Sequence, residues 1–254
     1  MTAGGAGRAV LVTGASRGIG AGVAHAFAEA GDRVAVHYGT GRAAAEEVVA
    51  GLPGAGHVPV QADLADPDAV RAMVEQAADR LGGLDVVVNN AGVYLDNPID
   101  EDDYGRWQRA WRDTLDVNLL GPANVIWCAV PHLRRRGRGR VVNVSSRGAF
   151  RGEPNHLAYG ASKGALNALT QSLAKALGGD GIVVTAIAPG FVYTDMAAEI
   201  LDGPRHDEIL AQSPFGRVAS VDEVARAVLF LASPDIEFTS GAILDLNGAS
   251  HLRI

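Results

Sequence analysis

Three polar side chains near the middle of the chain have the types and the spacing of proton-transfer groups. Tyr159 and Lys163 stand four residues apart in the string YGASK, so on a helix they share one face, about one turn apart. A phenol with a pKa of about 10 is a poor acid or base at neutral pH, and a neighbouring ammonium lowers that pKa. Ser146 stands thirteen residues before Tyr159, at the end of an apolar run, where its hydroxyl could hold a carbonyl or alcohol oxygen. We therefore predict acid–base chemistry at a carbon–oxygen bond.

A glycine-rich turn near the N-terminus has the properties of a phosphate-binding site. The apolar run Ala9–Thr13 leads directly into GASRGIG, Gly14–Gly20, and then into a helical pattern. Glycines let the backbone turn sharply and approach a pyrophosphate, which the amides at a helix N-terminus can bind. The spacing is Gly-x-x-x-Gly-x-Gly rather than Gly-x-Gly-x-x-Gly, but its place between the first strand and the first helix indicates a dinucleotide site.

The residues after the second apolar run favour NADP(H) over NAD(H). A carboxylate there would select NAD by binding the ribose 2′-hydroxyl, and the stretch Tyr38–Arg42 contains none, while Asp32 precedes the strand. Arg17 and Arg42 carry the planar guanidinium that suits the oxygens of a 2′-phosphate. The alternative is that both are ordinary surface arginines, since only two of the 22 basic residues are lysines.

The pattern of apolar runs predicts the architecture that positions these residues. Seven short runs rich in β-branched residues are too continuous for half-exposed strands and indicate a sheet buried on both faces. The runs are Ala9–Thr13, Arg33–Tyr38, His57–Asp63, Leu84–Asn89, Arg140–Ser145, Ile182–Ile187 and Ala242–Leu246. Helical patterns lie between them, at Ile19–Ala30, Arg42–Gly51, Pro67–Leu81, Tyr104–Leu133, Tyr159–Leu177 and Val221–Ala232. The alternation predicts one α/β domain with a parallel sheet and helices on both faces.

Composition excludes several classes of protein. The formal net charge of −7 argues against a general nucleic-acid or anionic-membrane binder. Hydrophobic residues make up 48% and charged residues 20%, which is typical of a folded globular chain. No apolar stretch reaches about 18 residues, and the N-terminal apolar run is too short for a signal peptide, so we expect a cytoplasmic protein. The single cysteine, Cys128, excludes a disulfide framework, and no acidic cluster has a metal-ligand pattern.

Taken together, these motifs resemble those of the short-chain dehydrogenase/reductase family over almost the entire chain. TGASRGIG (Thr13–Gly20) is similar to the family's cofactor turn, NNAG (Asn89–Gly92) to its motif after the fourth strand, and PGFVYTDM (Pro189–Met196) to the stretch at the nicotinamide carboxamide. The pair Asp63–Leu64 matches the family's adenine contact, and Asn118 in DVNLLG matches the helix asparagine of its catalytic tetrad. The resemblance implies a doubly wound Rossmann fold with a seven-stranded parallel sheet.

The resemblance also implies a role for each site residue. Tyr159 would donate the proton in reduction and accept it in oxidation, and Lys163 would bind the ribose hydroxyls and lower the Tyr159 pKa. Ser146 would orient the substrate oxygen, and Asn118 would hold a water that relays protons towards Lys163. The cofactor contacts implied are Gly14, Ser16, Arg17, Gly18, Ile19, Gly20, Tyr38, Asp63, Leu64, Asn90, Ala91, Gly92, Tyr159, Lys163, Pro189, Gly190, Val192 and Thr194.

Within the family, the pattern looks most like the 3-oxoacyl-carrier-protein reductases, so the substrate expected is the carbonyl of an acyl thioester or of a small molecule. Arg134–Arg140 is either a solvated turn or, with Arg147 and Arg151, a patch that could attract an acidic carrier protein. A ketoreductase of a secondary metabolite and a non-catalytic NADP(H) sensor are the alternatives.

Two further expectations concern the surroundings of the site. By resemblance, the helices Tyr104–Leu133 and Tyr159–Leu177 would build a homotetramer, or a homodimer. The segment Thr194–Ser213 follows a strand directly and is either a lid over the substrate or a surface loop.

Overall fold

Seven parallel strands form one sheet, as the sequence predicts. The computed structural model describes residues 7–194, 201 and 203–253. The strands are β1 Ala9–Val12, β2 Arg33–Tyr38, β3 Val58–Gln61, β4 Val86–Asn89, β5 Gly139–Val144, β6 Ile182–Pro189 and β7 Ile243–Leu246, in the order β3-β2-β1-β4-β5-β6-β7. Every residue of β1, β4, β5 and β6 is buried, which explains why these runs are apolar without alternation. The doubly wound α/β class is confirmed.

Helices cover both faces of the sheet. Those that the structure describes are α1 Gly18–Glu29, α2 Arg42–Gly51, α3 Pro67–Leu81, α4 Tyr104–Leu115, α5 Gly121–Arg135, α6 Gly148–Arg151, α7 Leu157–Leu177, α8 His206–Leu210 and α9 Val221–Leu231. On one face Met73, Leu133 and Leu177 of α3, α5 and α7 join a single core cluster. On the other face Phe27 of α1 and Val228 of α9 belong to a second cluster. The sheet is therefore sandwiched between two apolar layers.

The long helix predicted over Tyr104–Leu133 is interrupted, which corrects the sequence analysis. Between α4 and α5 the chain forms a π turn, Asp116–Leu120, and Asn118 within it is fully buried. Pro122 has no N–H to offer an α-helical bond, and it suits the first turn of a new helix at Gly121. Single π turns inside helices occur frequently at functional sites.

The strand order places a crevice at one edge of the sheet. From β1 the chain first extends the sheet through β2 and β3, then crosses back to pair β4 with β1 on the other side. Ligands of open α/β sheets bind at this reversal, outside the carboxyl ends of the strands. The loops that leave β1 and β4 are the glycine turn and the NNAG motif.

The segment Thr194–Ser213 is described in part. It contains α8, and Leu201 and Ile209 are buried. Met196, with the rest of residues 195–200 and residue 202, lies outside the described residues, so the lid stays a prediction. None of the helices in the described part of the chain is both long and apolar enough to cross a membrane.

We predict that Gly20→Ala destabilises the fold. A Cβ at Gly20 would lie 2.2 Å from the Gly14 carbonyl oxygen and 2.5 Å from Nδ2 of Asn90, so α1 would have to move away from the glycine turn. The free energy of unfolding should fall by about 1–3 kcal/mol, measured by denaturant titration. Gly51→Ala is the matched control, because a Cβ there meets no atom within 4 Å. Equal stability of the two variants would contradict the prediction.

Candidate active site

Hydrogen bonds join the glycine turn to the NNAG loop, and the two loops together form the rim of the site. Oγ1 of Thr13 accepts hydrogen bonds from the amides of Asn90 and Ala91, at 3.0 and 3.1 Å. The Asn90 side-chain amide donates in return to the carbonyls of Thr13 and Gly14, at 2.9 and 3.1 Å. Gly14 has φ +62°, and a Cβ there would lie 2.8 Å from Cα of Ala91. The two loops therefore require glycine here and form a fixed wall of backbone groups.

His37 at the end of β2 supports this rim and was missed by sequence reasoning. Its Nδ1 accepts the Gly14 amide at 2.9 Å, and its Nε2 lies 3.1 Å from the Ala62 carbonyl. Burial lowers the pKa of His37 to about 4, so the imidazole is neutral at pH 7 and its proton lies on Nε2, towards that carbonyl. One signal was available, a polar residue near the carboxyl end of an otherwise apolar strand.

A cavity of about 700 Å³ opens beside the rim, within the range usual for ligand sites. Most residues predicted for the site line it. They are Gly14, Ser16, Arg17, Gly18, Ile19, Asp63, Leu64, Asn90, Ala91, Gly92, Ser146, Tyr159, Lys163, Pro189, Gly190, Val192 and Thr194. The structure thus brings together residues from the ends of β1, β3, β4, β5 and β6, as a dinucleotide crevice requires.

Four predicted residues do not line the cavity. Gly20 is buried behind the turn, and Tyr38 packs against the core cluster under α1. Arg42 donates to Glu46 one turn along α2, at 2.8 Å, and Gly39–Gly41 line the cavity in its place. Asn118 lies beneath the NNAG loop. The predicted contacts of Tyr38 and Arg42 with the cofactor therefore find no support in the geometry.

Tyr159, Lys163 and Ser146 converge at the far end of the cavity. Nζ of Lys163 is buried, donates to the Val144 carbonyl at 2.8 Å and lies 5.7 Å from the centre of the Tyr159 ring. Ser146 favours the ionised form of the Tyr159 phenol, and Oγ of Ser146 accepts the Gly148 amide at 3.0 Å. A substrate oxygen can meet both hydroxyls at this point.

The proton affinities of this cluster differ from the expectation. Burial raises the pKa of Tyr159; the Ser146 hydrogen bond opposes this rise, and the charge of Glu153 adds to it. Burial also lowers the pKa of Lys163 to about 8. The net shift of the Tyr159 pKa is upward because desolvation of the phenol outweighs the opposing influence, and the role of Lys163 in lowering that pKa stays a prediction. Tyr159 is a neutral phenol at pH 7.

Asn118 braces the loop that carries NNAG. Its Oδ1 accepts the Val93 amide at 2.8 Å, and its Nδ2 donates to the Val93 carbonyl at 2.9 Å and to Oγ of Ser162 at 3.3 Å. Through these hydrogen bonds the side chain holds the loop after β4 against α7, the helix that carries Tyr159 and Lys163. The predicted role in a proton relay is not tested by these contacts.

Sequence reasoning also missed the residues around the substrate end. Tyr94 and Glu153, which belong to no predicted motif, line the cavity there together with Phe191 of the PGFVYTDM stretch and with Arg147, which the sequence analysis assigned to a carrier patch. His156 does not line the cavity but stacks on Tyr94. Their positions depend on long-range packing between α6, α7 and the loops after β4 and β6, which single-sequence patterns do not reveal.

The arginines predicted as a patch for a carrier protein divide into buried and exposed ones. Arg147 is buried and donates to Gln212 and Ser250, and the buried Arg140 donates to the carbonyls of Ser233 and Pro234. The others are exposed, and they are Arg134, Arg135, Arg136, Arg138 and Arg151. Arg140 and Arg147 are therefore used within the chain, and the carrier patch stays a prediction for the exposed arginines.

Comparison with known proteins agrees with the geometry. Residues 14–251 match the family profile described as enoyl-(acyl carrier protein) reductase. The 3-oxoacyl-[acyl-carrier-protein] reductase of Staphylococcus aureus strain Mu50 is 37% identical over 247 residues, covering 96% of this chain and 98% of that protein. Versicolorin reductase of Emericella nidulans is 37% identical over 257 residues, covering 96% of both. The structure of a short-chain dehydrogenase from Burkholderia cenocepacia in complex with NADP matches with a TM-score of 0.86 and 35% identity, covering 96% of this chain and 98% of that one.

The chain belongs to the short-chain dehydrogenase/reductase family, and the resemblance described above is confirmed. It is an NAD(P)-dependent oxidoreductase that acts on C=O and CH–OH groups.

We predict that Glu153→Gln shifts the pH dependence of turnover to lower pH. The Glu153 carboxylate disfavours the phenolate of Tyr159 and so raises its pKa. Without that charge the pKa falls, and the alkaline limb of kcat/KM for reduction, which needs a protonated Tyr159, should begin at lower pH. Glu29→Gln, an exposed carboxylate on α1, is the control and should leave the profile in place. An unshifted limb for Glu153→Gln would contradict the assignment.

Proposed function

We propose that the protein is a cytoplasmic, NADP(H)-dependent reductase that interconverts a ketone and a secondary alcohol. The observation that carries the proposal is the convergence of Ser146, Tyr159 and Lys163 in the same cavity as the glycine turn. When bound, the nicotinamide supplies or accepts the hydride at the carbonyl carbon. The protein's own groups then handle the proton and the position of the substrate oxygen.

The state of Tyr159 favours the reductive direction. A neutral phenol can donate its proton to the substrate oxygen as hydride adds to carbon, so that C=O becomes CH–OH. Ser146 holds the same oxygen through its hydroxyl, and both groups stand on rigid elements, the end of β5 and α7. Lys163 keeps a positive charge close to the phenol as the proton leaves, which stabilises the developing phenolate.

The cavity fits a dinucleotide. Backbone at Gly14, Gly18 and Gly92 lines the cavity. Glycine is favoured at these positions because a Cβ at Gly92 would lie 3.1 Å from Oδ1 of Asn118 and Gly18 has φ +54°. Asp63 and Leu64 would hold the adenine end, and Pro189–Thr194 the nicotinamide end. The residues present therefore suit the group that the family uses.

The preference for NADP(H) is supported by the end of β2. Gly39, Thr40 and Gly41 line the cavity without a carboxylate, and Arg17 is exposed at its rim. The Burkholderia relative is itself a complex with NADP. Among the two arginines proposed from sequence, the geometry favours Arg17 because Arg42 is paired with Glu46.

We predict that Arg17→Ala weakens NADPH binding by about tenfold or more while NADH binding changes little, since a charge-assisted bond to phosphate is lost. Fluorescence titration of the cofactor measures both affinities. Arg42→Ala is the matched control, and we expect a smaller loss with it. A larger loss in Arg42→Ala would exchange the two assignments, and tighter binding of NADH than of NADPH by the wild type would refute the preference.

Tyr159→Phe separates the enzyme from a non-catalytic sensor. The substitution removes the hydroxyl and keeps the ring, so we expect NADPH binding to persist while ketone reduction falls by at least about a hundredfold. Absorbance loss of NADPH and fluorescence titration measure the two properties. Full turnover in the variant would contradict the role of Tyr159.

We further propose that the protein assembles as a homotetramer through α4 and α5. Tyr104, Leu120 and Trp127 are exposed there, Trp127 by 71%, and large apolar side chains at a surface mark interaction sites. Sedimentation at micromolar concentration should give about four times the chain mass of 26.3 kDa, and Trp127→Arg should lower it. A wild-type mass near that of one chain would refute the assembly.

A further inference from the structure

A stacked aromatic pair stands against Tyr159. The ring of Tyr94 lies face to face with the imidazole of His156, with centres 3.6 Å apart and planes inclined by 30°. The same ring meets Tyr159 edge to face, with centres 4.7 Å apart and planes at 88°. Both are favoured aromatic geometries. The orientation of Tyr94 is thus fixed by the two residues that flank it.

The loops on either side hold this pair in place. Nδ1 of His156 lies 3.1 Å from the Leu95 carbonyl oxygen and 3.4 Å from a carboxylate oxygen of Asp96. The Tyr94 hydroxyl points towards Oε2 of Glu153, at 3.5 Å. Burial and then the charge of Glu153 raise the pKa of Tyr94, so this phenol stays neutral at pH 7. The ring of Tyr94 therefore forms part of the wall of the cavity.

Part of that wall remains open to the cavity. Tyr94 lines the cavity and keeps 36% of its surface exposed, although one face is covered by His156. Phe191, on the loop after β6, lines the same cavity, with the Arg147 guanidinium 5.2 Å from its ring centre. A substrate whose carbonyl reaches Tyr159 would therefore lie in a cavity that the rings of Tyr94 and Phe191 also line.

We propose that Tyr94 is a specificity-determining residue that selects planar, ring-fused aromatic ketones over open-chain 3-oxoacyl thioesters. The proposal rests on the proposed ketone reduction and narrows its substrate class. A flat ring can pack on a fixed aromatic surface with little loss of conformational freedom, whereas an acyl chain must be ordered bond by bond.

A merely structural role for Tyr94 makes a different prediction. If the ring only supported Tyr159, its loss would lower kcat for every substrate alike. A specificity role instead changes the ratio of kcat/KM between substrates, and Tyr94→Phe, which keeps the ring, rescues it.

The experiment compares α-tetralone, an aromatic bicyclic ketone, with acetoacetyl-CoA, an open-chain thioester, using NADPH and four proteins. These are the wild type, Tyr94→Leu, Tyr94→Phe and the control Phe238→Leu, whose ring is fully exposed outside the cavity. We expect the wild type to prefer α-tetralone, and Tyr94→Leu to lower kcat/KM for it by about tenfold while acetoacetyl-CoA is little affected. Tyr94→Phe and Phe238→Leu should behave as the wild type.

Equal losses for both substrates in Tyr94→Leu, or a wild type that prefers acetoacetyl-CoA, would overturn the proposal. Calorimetric binding of β-naphthol, which cannot be reduced as a ketone, tests the aromatic surface without turnover. Weaker binding to Tyr94→Leu than to the wild type supports it, and unchanged or absent binding overturns it. If the wild type binds β-naphthol through Tyr94 but reduces neither ketone, the proposed function fails and the aromatic site stands.

Discussion

The contact between the glycine turn and the NNAG loop is the constraint on which the rest of the site depends. Because the strand order reverses at β1, the carboxyl ends of β1 and β4 adjoin, and their loops must pack without intervening side chains. The reciprocal bonds between Thr13 and Asn90 and the missing Cβ atoms of Gly14 and Gly20 allow this. The wall that results consists of backbone groups, so a pyrophosphate can approach amides directly.

Burial also shifts the pKa of three groups close to that wall. His37 and Tyr159 are neutral at pH 7, and Lys163 holds its proton less firmly than a lysine in water. In such surroundings the charge of a single carboxylate, that of Glu153, raises the pKa of Tyr159, the phenol that transfers the proton. Desolvation by the fold thus favours the acid form of Tyr159.

Sequence patterns could predict the parts of the structure that depend on local order. The seven strands follow from continuous β-branched runs, and Tyr159 with Lys163 follows from helical spacing. The π turn at Asp116–Leu120 could not be predicted, because the apolar pattern continues through it. Likewise Arg140 and Arg147 look like surface charges in sequence, yet long-range contacts with Pro234 and Ser250 bury them. The Tyr159 pKa and the position of Tyr94 depend on the same kind of distant packing.

Arg147 connects the segment around Ser250 to the active site through a hydrogen bond. The residue directly after Ser146 donates to Ser250 at 2.6 Å and to Gln212 at 3.0 Å, while its own amide donates to the Pro189 carbonyl at 2.8 Å. Gln212 and Ser250 therefore meet at the guanidinium of Arg147, and Pro189 meets its backbone amide. Loss of the Ser250 contact would loosen the backbone beside Ser146, so the position of the segment around Ser250 and the alignment of the substrate oxygen are mechanically linked.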